Sequence, residues 1–370
     1  MDEVLNLYSD KTVVKQLLSA IDAVSICRPV KIMHVCGTHE NTISRFGIRE
    51  LLPEQVKVIA GPGCPVCVCP SEDIDIAIRL ALDKGVILAA FGDMLRVPSP
   101  HGSPMDAKAI GGDIRVIYSP FDSIRIAKEN PDKEVVLFCV GFETTACGIA
   151  SVVQSSKEKN LSFLMSNRLI PPSMEFLLGV GDLYIDGFII PGHVTAVMGL
   201  DEYMIFPEAY RMPVVSAGFE PVDILLGILM ILKQIKDKNA RCENAYKRAV
   251  KEKGNPKAKE MMTQVFDVVS AYWRGIGRIP RSGFILKENY REKDALYKFG
   301  VSKNKSHIDL HPGCSCHLIM TGKISPPDCS LFESSCNPQT PYGPCMVSYE
   351  GTCNSWHKYR RSKGVKRTFH

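Results

Sequence analysis

The sequence predicts an α/β fold: two similar domains, each with a parallel four-stranded sheet and flanking helices, followed by a C-terminal helical, Cys-rich domain. Three observations predict it. The first 240 residues repeat one unit of apolar run, Gly/Pro/Cys-rich loop and helical pattern. Strands alternating with helices mean a parallel sheet covered on both faces. The strands are also near-continuously apolar, as strands buried on both sides must be.

The units follow in order. KIMHV leads into CGTHENTISRFGIRELL, VKVIA into GPGCPVCVCPSEDIDIAIRLALDKG, VILAAF into GDMLRVPSPHGSPMDAKAIGG, and RVIYS into PFDSIRIAKEN. Next, EVVLFCV leads into GFETTACGIASVVQSS, FLMSN into RLIPPSMEFLLGV, GFII into PGHVTAVMG, and PVVSAG into FEPVDILLGILMILKQIK. Eight units divide four and four, with the turn signal Asn130-Pro131-Asp132 as the seam. A single eight-stranded barrel is the competing topology; the long Pro/Gly insertion in the third unit disfavours it. The expected domains are therefore 1–130, 131–234 and 235–370. In the last of these, IKDKNARCENAYKRAVKEKGNPKAKE reads as charged and helical, and MMTQVFDVVSAYWRGIG as an amphipathic helix with apolar spacing near 3–4. From His307 the chain is poor in strands and rich in Pro, Gly, Ser and Cys. Such a segment calls for a metal or cluster staple. The basic tail HKYRRSKGVKRTFH reads as a solvated end.

Composition narrows the function. The chain is 45% hydrophobic and 23% charged, with 45 basic against 40 acidic residues. A net charge of +5 makes no case for nucleic acid by itself. The longest apolar stretch, Ile224 to Leu232, is far short of the roughly 20 residues that span a bilayer. The first residues, MDEVLNLYSDK, form no apolar signal core. A cytoplasmic protein with no membrane insertion is expected. Cysteine is the outlier at 14 residues, in two clusters, Cys27 to Cys69 and Cys314 to Cys353. Clustered cysteines without a secretion signal point to metal ligands or redox thiols.

Loops at the carboxyl ends of parallel strands line the ligand crevice. Cys36-Gly37-Thr38-His39-Glu40 follows the first strand and puts a Cys at a helix start, where the helix dipole and a neighbouring His are expected to favour its thiolate. Gly61-Pro62-Gly63-Cys64-Pro65-Val66-Cys67 follows the second. Its Cys64/Cys67 pair is close enough to form a disulfide or to share a metal, and half of a structural zinc site remains open. Cys69 stands just outside the pair. Asp93 and Arg96 follow the third strand. Glu143 with Thr144 and Thr145 opens a later helix and offers a carboxylate and two hydroxyls to the crevice; capping of that helix by the hydroxyls is the alternative reading. His193 sits on a loop, placed as acid, base or supporting donor. There is no phosphate-binding or dinucleotide fingerprint. In the tail, Cys314, Cys329, Cys336 and Cys353 give C-x14-C-x6-C-x16-C, with Cys316 and Cys345 as spares. Four thiolates suit a [4Fe–4S] cluster or tetrahedral zinc, and the absence of double C-x2-4-C pairing favours the cluster.

CGTHE, GPGCPVC, FGDMLRVP, GFETT, PGHVTAVMG, DC-x-LF and GPCMVSYEG together closely resemble the HypD family of [NiFe]-hydrogenase maturation factors, over nearly the whole chain. The resemblance implies two similar α/β domains, a C-terminal [4Fe–4S] domain, and a role in assembling the Fe(CN)2CO unit of the hydrogenase active site. It implies a complex with the small chaperone HypC and transient receipt of cyanide from HypE. Carried over by residue, Cys36 is the iron-holding thiolate, shared with a cysteine of HypC. Cys64 and Cys67 are the redox pair, and Cys314, Cys329, Cys336 and Cys353 hold the cluster. His193, Asp93 and Glu350 match polar positions of the motifs. Two other classes fit the bare residues: a free-standing iron–sulfur thiol oxidoreductase, and a zinc-stapled protein binding nucleic acid through its basic tail.

Overall fold

The computed structural model describes residues 10–181, 183–303 and 309–359. All eight expected strands form: β1 (Val30–His34), β2 (Val56–Ala60), β3 (Val86–Phe91), β4 (Asp113–Ile117), β5 (Glu134–Gly141), β6 (Leu161–Asn167), β7 (Gly187–Pro191) and β8 (Val214–Ala217). They build two parallel sheets rather than one barrel. A short β9 (Cys242–Asn244) extends the first.

Sheet membership does not follow the in-order division at residue 130. The first sheet runs β2-β1-β7-β8-β9 and the second β4-β3-β5-β6. The chain starts the first sheet, leaves to complete the second with strands β3 to β6, and returns. Asn130-Pro131-Asp132 lies inside the second sheet, because β5 pairs in parallel with β3 across it (Val86 with Glu134, Leu88 with Val136). The turn only closes the connection that runs from β4 through the Asp122–Glu129 helix to β5. The centre of the first sheet joins distant segments: His34 pairs with Ala60 on one side and Ile189 on the other.

The third part also differs from expectation. The apolar Pro221–Lys236 helix ends where charge begins, and a second helix covers only Pro256–Val265. The rest of the expected amphipathic helix is an antiparallel hairpin, β10 (Phe266–Trp273) and β11 (Gly277–Leu286). Val268, Val269, Tyr272 and Trp273 are β-branched or aromatic and favour a pleated surface. Gly275 and Gly277 supply the positive φ of the turn, +70° and +111°. Trp273 is buried, stacks on Phe142 at 6.0 Å, and donates its indole N–H to Ser282 Oγ at 2.8 Å. Beyond residue 308 the described residues hold only short helices and turns. The basic tail from residue 360 onward lies outside the described residues. Among the described residues, no helix is long and apolar enough to cross a membrane.

Candidate functional site

The first two loops are stitched together. Gly61 N–H donates to His34 O at 2.8 Å, and Gly37 N–H donates to Gly63 O at 3.1 Å. A methyl group on Gly63 would overlap the backbone of Val35 and Cys36. Gly63 is what allows the turn carrying Cys64 to rest directly on the turn carrying Cys36.

Each cysteine starts a helix. Cys36 is extended, with φ −151° and ψ 128°, ahead of the Gly37–Phe46 helix, which Gly47 ends at φ +64°. Cys64 precedes the one-turn Pro65–Val68 helix, where Pro65 is preset for a first helical position. Cys64 Sγ accepts the Cys67 N–H at 3.2 Å, and the two cysteines are joined as a disulfide with Cα atoms 5.2 Å apart. Cys69 is buried apart from the pair, 3.4 Å from Ser166 Oγ.

The C-terminal segment reaches over this junction. Glu350 lies against Gly37, where a methyl group would meet its backbone. Thr38 Oγ1 donates to Glu350 Oε1 at 3.2 Å. Ser348 Oγ donates to Asp93 Oδ2 at 2.8 Å and accepts the Glu350 N–H at 3.2 Å. Asp93, from the second sheet, is thus wired through Ser348 to Glu350 and on to the helix that starts at Cys36. Burial first, then the Asp93 charge, raises the Glu350 carboxyl.

The expectation of a favoured Cys36 thiolate is corrected. Burial, then the charge of Glu350, pushes its thiol up to about 12, against N–H donation from His39 and Thr38. The His39 ring is turned away, its Nε2 donating to Gly218 O at 2.9 Å. Burial therefore favours the neutral thiol over the thiolate at this position. Of the two readings of Thr144 and Thr145, capping is not the one observed: the Glu143–Ser155 helix has no side-chain cap. Glu143 instead accepts the Ile170 N–H at 2.8 Å, and burial raises its carboxyl to about 8.

His193 joins the same face through a ring stack. Its centroid lies 5.1 Å from that of Phe219, which lies 5.3 Å from His39. Below them is a buried ion network that sequence reasoning missed. Glu40 accepts from His34 Nε2 at 2.8 Å and from Arg49 at 2.8 and 2.7 Å. Burial would raise the Glu40 carboxyl, but Arg49 and His34 hold it well below the usual carboxylate range. His34 Nδ1 also lies 3.1 Å from Cys36 O, so the network fixes the peptide that presents the sulfur. The Glu40 to Arg49 spacing, across a helix end, gave no sequence signal. Ser348 had one, lying two residues before Glu350 in GPCMVSYEG.

His39 makes the site's stability pH-dependent. Burial, then the nearby His34 and His193, depresses its pKa to about 3. The unfolded His takes up a proton near 6.5, and the folded one does not until far lower pH. Its stabilising effect is complete above pH 6.5 and is lost as pH falls toward 3. Lowering pH from 6.5 to 5 is expected to cost about 2 kcal/mol from this group. Urea titrations at the two pH values should show a smaller loss in His39→Gln.

All six C-terminal cysteines line one small cavity, with Ile319, Leu331, Phe332 and Met346 as its apolar walls. Among the described residues, no three His, Cys, Asp or Glu side chains are drawn to metal-ligand spacing around one point. The donor chemistry nevertheless fits an iron–sulfur cluster. Tyr342 N–H points at Cys336 Sγ and Cys353 N–H at Cys345 Sγ, both at 3.4 Å. Amides aimed at sulfur are what a thiolate-bound cluster needs. The thiols interact across the whole cavity: Cys345 is hydrogen-bonded by Cys316 and Cys353, and Cys353 feels the charge of Cys345, Cys314 and Cys336. The cavity adjoins the disulfide, because the Pro344–Val347 helix packs on the Pro65–Val68 helix.

A family model for HypD, described as "Hydrogenase formation hypA family", matches residues 12–360. The chain belongs to the HypD family. It is 42% identical over 340 residues to the hydrogenase maturation factor HypD of Escherichia coli, covering 91% of each chain. It is 41% identical over 367 residues to the HypD maturation factor of Azotobacter vinelandii, covering 96% of each. A HypD maturation factor of Bradyrhizobium diazoefficiens matches at 42% over 366 residues, again 96% of each. As a HypD hydrogenase maturation factor, the protein brings together Cys36, the Cys64/Cys67 pair, Asp93 and Glu350. His193 joins through Phe219.

Proposed function

We propose that this HypD protein is the scaffold and redox partner for assembly of the Fe(CN)2CO moiety of [NiFe]-hydrogenase. The observation that carries the reading is the direct contact of the Cys36 turn with the Cys64/Cys67 turn, with the six-cysteine cavity packed behind the latter. Iron is the cargo. Thiolate is a soft ligand suited to iron carrying cyanide and carbonyl groups. Cys36 holds the iron together with a cysteine of a HypC-like chaperone, and a HypE-like donor delivers cyanide transiently. Thr38 and Glu350 border the sulfur, and Asp93 orients Glu350 through Ser348. These hydrogen-bonding groups fix and tune the thiolate in the way supporting ligand shells do.

Cys314, Cys329, Cys336 and Cys353 hold a [4Fe–4S] cluster in this reading. Bound there, the cluster stores electrons one at a time. Cys64 and Cys67 cycle between disulfide and dithiol, each cycle moving two electrons and two protons. The Glu40–Arg49–His34 network holds the Cys36 peptide rigid while the pair changes state.

The experiment is an anaerobic pull-down of the tagged protein from a hydrogenase-producing cell, with infrared spectroscopy and metal analysis. A small chaperone should accompany it, the preparation should be brown with about four irons beyond the cargo, and cyanide and carbonyl bands should be present. Colourless protein containing zinc, or bands that persist undiminished in Cys36→Ala, would overturn the reading.

A further inference from the structure

One short loop joins the six-cysteine cavity to the Cys36 site. Its two ends, Cys345 and Cys353, both line the cavity. They are drawn together there: Cys353 N–H points at Cys345 Sγ at 3.4 Å, and a methyl group on Gly351 would overlap the Cys345 backbone. Inside the loop, Ser348 N–H donates to Pro344 O at 3.1 Å and Gly351 N–H to Ser348 O at 2.9 Å.

The tip is three consecutive residues, and each touches a different part of the N-terminal site. Ser348 Oγ reaches Asp93 across 255 residues of chain, and Thr38 reaches Glu350 across 312. Between them, Tyr349 donates its hydroxyl to Asn41 Oδ1 at 2.8 Å, across 308 residues. Asn41 is buried on the Gly37–Phe46 helix that Cys36 starts, and its Nδ2 has no partner among the described residues. Tyr349 thus fastens the tip to that helix. Beyond the loop, the Thr352–Tyr359 helix packs on the same Gly37–Phe46 helix, and the Arg49 guanidinium lies 5.2 Å from the centre of the Trp356 ring. Cys353 is the second residue of that packed helix.

We propose that this loop links the two sulfur sites: metal bound in the cavity fixes the base of the loop, and Tyr349 is the positioning residue that carries the constraint to Glu350 over Cys36. The inference rests on the cluster reading above. Metal bonds at the base remove conformational freedom that the hydrogen bonds of the tip would otherwise have to remove. The tip contacts then form at lower entropic cost, so a loaded cavity keeps Cys36 covered for more of the time. The link runs both ways: whatever loosens the tip weakens the hold on the metal. Tyr349 acts through Asn41 and through its neighbour Glu350, and Tyr349→Phe takes away only the hydroxyl. Cys36 is 3% exposed, so alkylation of its sulfur reports opening of the cover.

The test is the rate at which iodoacetamide alkylates Cys36 in the anaerobically reconstituted full chain, followed by peptide mass spectrometry, with iron and sulfide assayed alongside. Loaded wild type should react about tenfold more slowly than cluster-free wild type, a coupling of ordinary size. Loaded Tyr349→Phe should keep its iron and sulfide, react close to the cluster-free rate, and yield iron to a chelator faster than wild type. Tyr297→Phe, which alters a tyrosine of the same exposure, 47%, should match loaded wild type in both. Equal rates in loaded Tyr349→Phe and loaded wild type overturn the proposal, whether or not the cluster-free protein stays folded. So does a Tyr297→Phe variant that opens Cys36 as far as Tyr349→Phe does. Wild type that takes up no iron and sulfide overturns both this inference and the cluster reading. Loaded wild type that protects Cys36 no better than the cluster-free protein overturns the link alone and leaves the cluster reading standing.

Discussion

Cys36→Ala should reduce hydrogenase maturation to background in a cell that lacks its own copy of this factor, while the purified variant remains folded. The two halves of the expectation have different physical sources. Cys36 sits at a helix start in extended backbone and makes no capping bond through its side chain. Alanine adopts that conformation freely. The lost buried sulfur costs about 1 kcal/mol, a typical single-substitution effect. The same sulfur is the one thiol at the contact of the two loops that is not committed to the disulfide. Its chemical role has no substitute: Thr38 and Glu350 offer oxygen, a harder ligand. Maturation assayed by hydrogenase activity, alongside a thermal melt, separates the two effects. Wild-type maturation in Cys36→Ala would remove the central sulfur from the account. Cys36→Ser should fail equally, because a hydroxyl keeps the shape but not the softness.

Gly63→Ala should be nearly as damaging, by a different route. The added methyl would meet the amide nitrogen and Cα of Cys36 and the carbonyl carbon of Val35. These are backbone atoms, so no rotamer change relieves the overlap, and the two turns must separate. Overpacking of this kind costs about 3 kcal/mol, and the Gly37 N–H bond to Gly63 O goes with it. Maturation should fall at least about tenfold, since catalytic groups moved by an ångström lose on the order of 100-fold. Gly85→Ala is the control. A methyl there meets nothing within 4 Å, although φ is +91°, so strain alone is tested. If Gly63→Ala matures hydrogenase as well as Gly85→Ala does, the close approach of the loops is dispensable.

The strands were legible because each is buried on both faces and reads as a continuous apolar run. Which strands share a sheet was not legible, since β1 looks the same from the sequence whether β7 or β3 lies beside it. The loops with Cys36, Cys64 and Cys67 could be placed on one sheet edge by the strand-then-loop order, whereas His193, assigned by that order to the second domain, reaches the same edge because β7 pairs with β1. Asp93 comes from the other sheet, and its link to Glu350 runs through Ser348, whose nearness to Glu350 in the sequence says nothing of a partner 255 residues away. The hairpin was misread because Met262, Val265 and Phe266 keep helical spacing up to the boundary, and the helix does run to Val265. The protonated state of Cys36 was missed because a helix start is a local property, whereas burial under Glu350 comes from a segment some 300 residues away.

The return of the chain to the first sheet has a consequence for biosynthesis. Strands β3 to β6 occupy residues 86 to 167 without interruption, so that half can assemble while the ribosome is still at work. The other half cannot. Lys31 N–H waits for Asp186, a partner 155 residues downstream, and β1 lacks a neighbour on one side until β7 emerges. Late closure of such long-range pairings is slow and leaves incomplete edges exposed. The Cys36 turn therefore stays uncovered until β7, and later the segment that carries Glu350, has been made.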